Sequence, residues 1–458
     1  MSERAPRVRW VVLAAVLGSG MALLDSTVVN VALPVLGRDL DAGIEDLTWT
    51  INGYTLTLAA FILLGGSLGD RFGRRRMFVI GTVWFALASL LCGIAPSIEL
   101  LVAARALQGI GGALLTPGSL AMIAGLFEGE ERGRAIGMWS GLSGLASAIG
   151  PFVGGWLIHA AGWRWVFLIN LPIAAAVVFV AQRHVPESKD EKAAKRLDLA
   201  GAALGALGLA GITWALVAAG SSGITTATSL SAAGGLAALV IFVLVERRSD
   251  HPMLPLGLFA SRQFSAANAV TLLVYAALGG IFFALVMHLQ IVAGYSPLVA
   301  GTALLPVTAL LLVLSGPAGA LSERIGPRLP MSAGPMIGAA GVLLLLRIGA
   351  HPSYLMDVLP AASVFGLGLA ITVAPLTAAV LAAAPGRFAG IASGVNNAVA
   401  RAASLLAVAV LPLVAGLRGD EYRQPSAFAA GFRVAVLLCA GLLAAGGLLA
   451  ALIIRKPD

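Results

Sequence analysis

The chain has 458 residues, 59% of them hydrophobic and only 11% charged, with a formal net charge of +8 and a mean hydropathy of +0.94. A soluble protein of this length cannot hide that much apolar surface, so the composition implies a polytopic membrane protein with no room for a large soluble domain. Long apolar runs without period-two alternation exclude a transmembrane barrel and leave helices of about 20 residues as the spanning element.

Fourteen spanning segments are predicted, at 10–36, 47–68, 77–95, 98–126, 134–160, 163–182, 199–219, 227–246, 265–291, 297–320, 331–349, 354–383, 389–416 and 431–454. Segments 7 and 8 are rich in glycine and alanine, which also suits re-entrant helices. The positive charge is almost all arginine; lysine occurs only at Lys189, Lys192, Lys195 and Lys456. Basic residues gather in alternate loops: Arg4, Arg7 and Arg9; Arg71 to Arg76; Arg132 and Arg134; Arg183 to Arg196; Arg247 to Arg262; Arg324 and Arg328; Arg387; Arg455 and Lys456. The other loops hold only Arg38, Arg164, Arg418 and Arg423, with Arg347 and Arg433 near helix ends. This asymmetry places both termini in the cytoplasm and requires an even number of spans. It is the pattern of orientation signals and not of a nucleic-acid surface. The N-terminal apolar stretch is too long for a signal peptide and reads as an uncleaved first helix. Cys92 and Cys439 lie far apart inside apolar segments, as packing residues with no disulfide or metal spacing.

Segment 1 contains Leu24-Asp25-Ser26-Thr27-Val28-Val29-Asn30-Val31-Ala32-Leu33-Pro34. A charge at mid-membrane costs roughly 2.5–3.5 kcal/mol on insertion scales, so Asp25 either titrates or pairs. It is the only acid expected near mid-membrane. The turn after segment 2, Gly66 to Arg76, carries Gly66, Asp70, Arg71, Gly73 and Arg74; such a charge cluster can latch one conformation. In segment 4, Arg105 and Gln108 lie three apart on one helix face and are candidate partners of Asp25. Segment 5 reads Gly150-Pro151-x-x-Gly154-Gly155, a small-residue face interrupted by proline and a candidate hinge. The loop from Arg183 to Asp198 reads as a solvated linker without chemistry of its own. His288 and Gln290, near the end of segment 9, show no ligand spacing.

Gly66 to Arg75 aligns with Gly319 to Arg328, matching Gly, Leu, an acid, Arg, Gly and a final Arg, so Glu323 and Arg324 correspond to Asp70 and Arg71. Segments 9–14 therefore read as a repeat of segments 1–6, an established transporter plan. The division is residues 1–182 as one six-helix bundle, 183–198 as the linker, 199–262 as an inserted helix pair and loop, and 263–458 as the second bundle. Segment 13 places Asn396, Asn397 and Arg401 in the second bundle; with Asn30 and Tyr54 they are assigned to a substrate cavity.

No Walker A sequence, dinucleotide fingerprint or nucleophile triad is present, so no enzyme activity and no ATP site is expected. An ion gradient remains as the energy source. The motifs together resemble the major facilitator superfamily, and specifically its fourteen-helix drug/proton antiporter branch. Gly66 to Arg76 is similar to the superfamily's cytoplasmic loop motif, and Leu24 to Pro34 to the branch's first-helix motif. Arg105-x-x-Gln108-Gly109 resembles the fourth-helix motif associated with proton transfer. Gly150 to Gly155 resembles the antiporter motif, with Ala146 replacing a usual glycine, and Trp163 to Pro172 resembles the sixth-helix entry. The resemblance implies an all-α fold of two six-helix bundles plus two inserted helices. It also implies alternating access in the plasma membrane and export of small amphipathic organic compounds against inward protons, by a monomer without cofactors. The second bundle lacks the membrane acid of some polycation exporters, and Arg401 leaves room for neutral, zwitterionic or anionic substrates. Metabolite symport and a non-transporting membrane sensor are the rival readings.

Overall fold

The computed structural model describes residues 4–454 except 128, 190–196, 250–251, 385–388 and 418. Lys192, Lys195, Arg196, Arg387, Arg418, Arg455 and Lys456, expected to orient the chain, lie outside the described residues. Among the described residues every regular element is helical. The helices are α1 (Arg4–Asp39), α2 (Ile44–Phe72), α3 (Arg74–Gly93), α4 (Ile98–Leu126), α5 (Gly129–Ala161), α6 (Trp165–Leu168), α7 (Asn170–His184) and α8 (Leu199–Ser222). They continue with α9 (Thr226–Arg248), α10 (Arg262–Ile291), α11 (Pro297–Thr302), α12 (Leu305–Ile325), α13 (Arg328–Leu344), α14 (Leu359–Ala382), α15 (Ala389–Ala415) and α16 (Pro425–Ile453). Several starts are set locally. Ser97, Asp198, Thr225, Ser261 and Ser296 each accept a backbone N–H from the first turn that follows, which satisfies groups a helix start leaves unpaired.

Thirteen helical stretches are long and apolar enough to cross a membrane, among the described residues, where fourteen segments were expected. The exception is α5: it runs 33 residues, but its described apolar part is only Ile149–Ala161. The stretches 199–219 and 227–246 are full-length helices, α8 and α9, and not re-entrant. Gly208, Gly211 and Gly235 let their backbones touch; a Cβ on Gly211 would lie 3.0 Å from the Gly235 Cα. Beyond α8, α9 presents Leu230, Leu236, Val240 and Leu244 outward, as a lipid-facing helix would.

The repeat read from the sequence has a conformational counterpart. Gly73 ends α2 with φ of 109°, and Gly326 ends α12 with φ of 87°. Each donates its N–H to the carbonyl four residues earlier, on Gly69 and Ser322 respectively. A side chain at either position would be strained, so glycine is required by the same turn in both halves.

The hydrophobic cores differ at the two ends of the molecule. Toward Asp41, apolar residues of α1, α2, α4 and α6 (Val28, Leu33, Leu47, Leu101 and Phe167 among them) join one cluster with α10–α16. Toward Asp70, the buried core of α1, α2, α3, α4 and α7 is separate, and from the second half only Ala398 packs against it.

The Asp41 end is also fastened by polar contacts. The Tyr422 hydroxyl donates to the Ala42 carbonyl at 2.9 Å. Arg423 donates to the Gly37 carbonyl at 2.9 Å and to Asp41 at 3.0 Å. Ile44 N–H donates to the Gly419 carbonyl at 3.1 Å. Gly37 has no room for a Cβ because the Tyr422 hydroxyl occupies that space. Burial raises the Tyr422 phenol above its ordinary range, so it remains a donor at physiological pH. Removing these donors should loosen this end without unfolding it. Cys92 and Cys439 are both buried, so a Val31→Cys probe reports the end cleanly. In Tyr422→Phe/Arg423→Gln, maleimide labelling of that probe should accelerate about three- to tenfold, the effect of losing one or two net hydrogen bonds; an unchanged rate would show that apolar packing alone closes it.

Candidate functional site

Asp25 sits near the middle of α1 and is 0% exposed; Arg105 and Gln108 of α4 are 1% and 0% exposed. The structure brings the three together. Arg105 Nη1 lies 2.5 Å from Asp25 Oδ2 and 2.5 Å from Gln108 Oε1. Gln108 Nε2 donates to Asp25 Oδ1 at 2.8 Å and to Ser89 Oγ at 2.7 Å. Arg105 Nε donates to the Thr50 carbonyl at 3.1 Å. Its guanidinium carbon lies 4.4 Å from the Tyr54 ring centroid, a cation–π contact that fixes its plane. Tyr54, assigned to the substrate cavity, is therefore part of this buried cluster.

Two further members escaped sequence reading. Asn170 Nδ2 donates to Asp25 Oδ1 at 2.8 Å and to Ser89 Oγ at 3.2 Å. Asn170 belongs to the Trp163–Pro172 motif, and Ser89 lies in α3. A polar residue inside each apolar run was the available signal; neither spacing nor charge distinguished them from ordinary interhelical hydrogen-bond formers. Asp25 thus accepts three hydrogen bonds with both oxygens engaged, the pattern of a carboxylate acting as acceptor only. Two opposite charges stripped of water hold together only with such geometry. Removing one partner of a buried pair costs about 3–5 kcal/mol because the other is left uncompensated.

The glycines of α5 close on this cluster. A Cβ on Gly150 would overlap Thr27 Oγ1, two residues from Asp25, and one on Gly154 would lie 2.8 Å from Val28 Cγ1. A Cβ on Gly155 would lie 2.6 Å from the Leu298 Cα, and Gly301 meets the Pro151 carbonyl in the same way. So Gly150, Pro151, Gly154 and Gly155 place α5 in backbone contact with α1 on one side and with α11 on the other.

At the Asp70 end, Arg74 pairs with Asp70 (Nη2 to Oδ1, 2.8 Å). Arg71 lies over the Phe72 ring at 5.0 Å. Gly66 faces Pro117 with space to spare. Glu323 and Arg324 of the second half form no ion pair among the described residues, so the two halves of the repeated motif are not joined. The linker is not merely solvated, contrary to expectation. Glu187 accepts the backbone N–H groups of Arg75 and Arg76 at 3.0 and 3.1 Å, and Arg74 N–H donates to the Ser188 carbonyl at 2.8 Å. The unpaired N–H groups at the start of α3 attract that carboxylate.

In the second half, Asn396 donates to Thr271 at 2.7 Å and Asn268 at 3.3 Å, which turns it toward α10. Asn397 is exposed, and Arg401 one turn later is half-buried. Asn30 is half-buried and returns a hydrogen bond to the Ser26 carbonyl. His288 stacks on Phe432 with centroids 3.9 Å apart. Gln290 donates to the Val31 carbonyl at 2.9 Å, a bridge between the two halves. Among the described residues no cluster of metal-ligating side chains occurs.

Asn170→Leu should lower stability by about 1–3 kcal/mol, the cost of leaving a buried acceptor short of a donor. Asn397→Leu, on an exposed position, serves as the comparison and should leave the thermal midpoint in place. Equal midpoints for the two variants would show that Asn170 contributes nothing to holding Asp25.

The Major Facilitator Superfamily model matches residues 15–408. The multidrug resistance protein Stp of Mycobacterium tuberculosis (strain CDC 1551 / Oshkosh) is 37% identical over 404 residues, covering 87% of this chain and 74% of that one. The tetracenomycin C resistance and export protein of Streptomyces glaucescens is 34% identical over 416 residues, covering 90% of this chain and 76% of that one. Among solved structures, a D-xylose-proton symporter superposes with a TM-score of 0.69 at 15% identity, covering 98% of both chains, a likeness of fold alone. Matched along most of its length and folded as these transporters are, the chain belongs to the major facilitator superfamily, as a multi-pass membrane transporter.

Proposed function

We propose that this protein is a proton-coupled antiporter of the superfamily's drug-efflux branch, exporting amphipathic organic compounds from the cytoplasm by alternating access. The reading includes fourteen spans, both termini in the cytoplasm, and a monomer made of two six-helix bundles with α8 and α9 inserted between them. The observation that carries it is the Asp25–Arg105 pair: a dehydrated ion pair in a membrane core, abutting the glycine face of the helix that touches both halves. Relatives named for drug resistance and export support the direction and class of cargo.

On this reading the Asp41 end is the outer face, sealed by Tyr422 and Arg423, and the molecule is open toward the cytoplasm. Asp25 is then in its deprotonated state, after delivery of a proton inward. Reloading it from outside requires Arg105, Gln108 and Asn170 to release the carboxylate. Neutral Asp25 no longer attracts Arg105, and α1 is free to shift against Gly150 and Gly154. One charge moving down a potential of 100 mV supplies about 2.3 kcal/mol, comparable to the cost of rearranging such a pair. On the cytoplasmic side, Gly66, Asp70, Arg71, Gly73 and Arg74 would form the closing latch with Glu323 and Arg324 when the molecule turns outward.

Asp25→Asn should abolish substrate-dependent proton release from everted membrane vesicles. Substrate counterflow in proteoliposomes, which needs no net proton movement, reports whether the variant still cycles. Full proton release by Asp25→Asn would refute the assignment of the carboxyl. Substrate-induced proton movement of opposite sign would refute antiport and support symport.

A further inference from the structure

Two arginines lie at mid-membrane depth in the described residues, and they are used differently. Arg105 is neutralised by Asp25 and buried under Tyr54 and Phe167. Arg401, midway along α15, is half-buried, and among the described residues no ion pair or hydrogen bond engages its guanidinium. The neighbouring face of α15 is already occupied: Asn396 bonds Asn268 and Thr271, and Ser404 Oγ donates to the Tyr275 carbonyl at 3.0 Å. Those bonds fix α15 against α10 and leave Asn397 and Arg401, four residues apart on one helix face, directed elsewhere. On the same face of α15, a Cβ on Gly394 would lie 3.1 Å from a Leu63 methyl of α2, and Ala398 packs against the first-half core. Arg401 therefore sits in the space between the halves.

An isolated guanidinium at this depth is costly, and arginines inside membrane segments are paired or face a site that supplies a counter-charge. Among the described residues no counter-charge is left to give, because Asp25 is the sole carboxylate at that depth and both its oxygens are taken. We propose that the missing partner is the cargo: the transported compound is an organic anion whose carboxylate or phenolate oxygens pair with Arg401, with Asn397 beside it. The inference rests on the transport reading above and names its substrate class. A planar fork of N–H donors binds such oxygens two at a time, which a lysine ammonium does not reproduce. Exchange of an anion for a proton also moves more charge across the membrane than exchange of a neutral compound, so the membrane potential as well as the pH difference would drive export.

Fluorescein and rhodamine 123, xanthene dyes of similar shape and opposite charge, make the test. By fluorescence polarisation, the purified full-length protein should bind fluorescein about tenfold more tightly than rhodamine 123, the value of one charge-assisted bidentate contact. Arg401→Gln should remove that preference and Arg401→Lys should keep part of it, with the thermal midpoints of both showing folded protein. Equal affinity of wild type and folded Arg401→Gln for fluorescein would overturn the proposal, as would tighter binding of rhodamine 123 by wild type. Omitting chloride, with sucrose to hold osmolarity, should leave fluorescein affinity unchanged; abolition of binding by added chloride would make Arg401 an inorganic-anion site and also overturn it. Proton coupling is read separately, from dye uptake by proteoliposomes under an imposed pH gradient. Arg401-dependent binding without gradient-driven uptake would leave the anion site standing and remove antiport. Gradient-driven uptake that Arg401→Gln does not alter would keep antiport and remove the anion site.

Discussion

Much of this molecule is arranged around one carboxyl group, that of Asp25, buried away from solvent. A charge in the membrane core is tolerable only when every lone pair has a donor and the opposite charge is at hand. Asp25 meets that condition by drawing on α4 through Arg105 and Gln108 and on α7 through Asn170, while Ser89 of α3 orients two of those donors. Four helices distant in sequence are thereby held in one register. Hydrophobic packing could not do this alone, since lipid is as apolar as the helices and rewards no particular rotation of one against another.

The same condition makes the arrangement switchable. A neutral acid carries an O–H that needs an acceptor and attracts a guanidinium less strongly, so a proton on Asp25 would leave the network of three donors poorly matched to it. The consequence is felt first where the backbones are closest. Gly150 and Gly154 meet α1 within four residues of Asp25, and Gly155, the residue after Gly154, meets α11. Helix α5 thus links the charge to the opposite half through contacts with no side-chain slack.

The all-helical fold was largely legible in the sequence because apolar run length is a long-range statistical signal. The repeat was legible because a left-handed turn demands glycine, and Gly73 and Gly326 both satisfy that demand. The pairing of Asp25 with Arg105 and Gln108 could be anticipated because an unpaired charge is forbidden there, and few partners existed. Asn170 and Ser89 were not anticipated, because a neutral polar residue in an apolar run is affordable in many ways. Glu187 was missed for a different reason: one acid in a mixed-charge loop has the composition of solvated linker, and only the position of the α3 N-terminus gives it a partner. Asn396 illustrates the limit of helix-face reasoning, since the face it occupies is shared with α10.

The closure near Asp41 is chemically one-sided. Tyr422 and Arg423 contribute side chains, whereas α1 and the turn after it contribute mainly the carbonyl oxygens of Gly37 and Ala42. A carbonyl is present whatever residue stands at the position, so substitution along the α1–α2 turn leaves the acceptors intact unless it adds bulk at Gly37. Tolerance to mutation should therefore be distributed unevenly: broad at exposed Arg38, narrow at buried Ala42 and at 422 and 423. Drift at the outward side chains of the turn can alter its outer surface while the strength of the seal stays largely under the control of two residues in the other half.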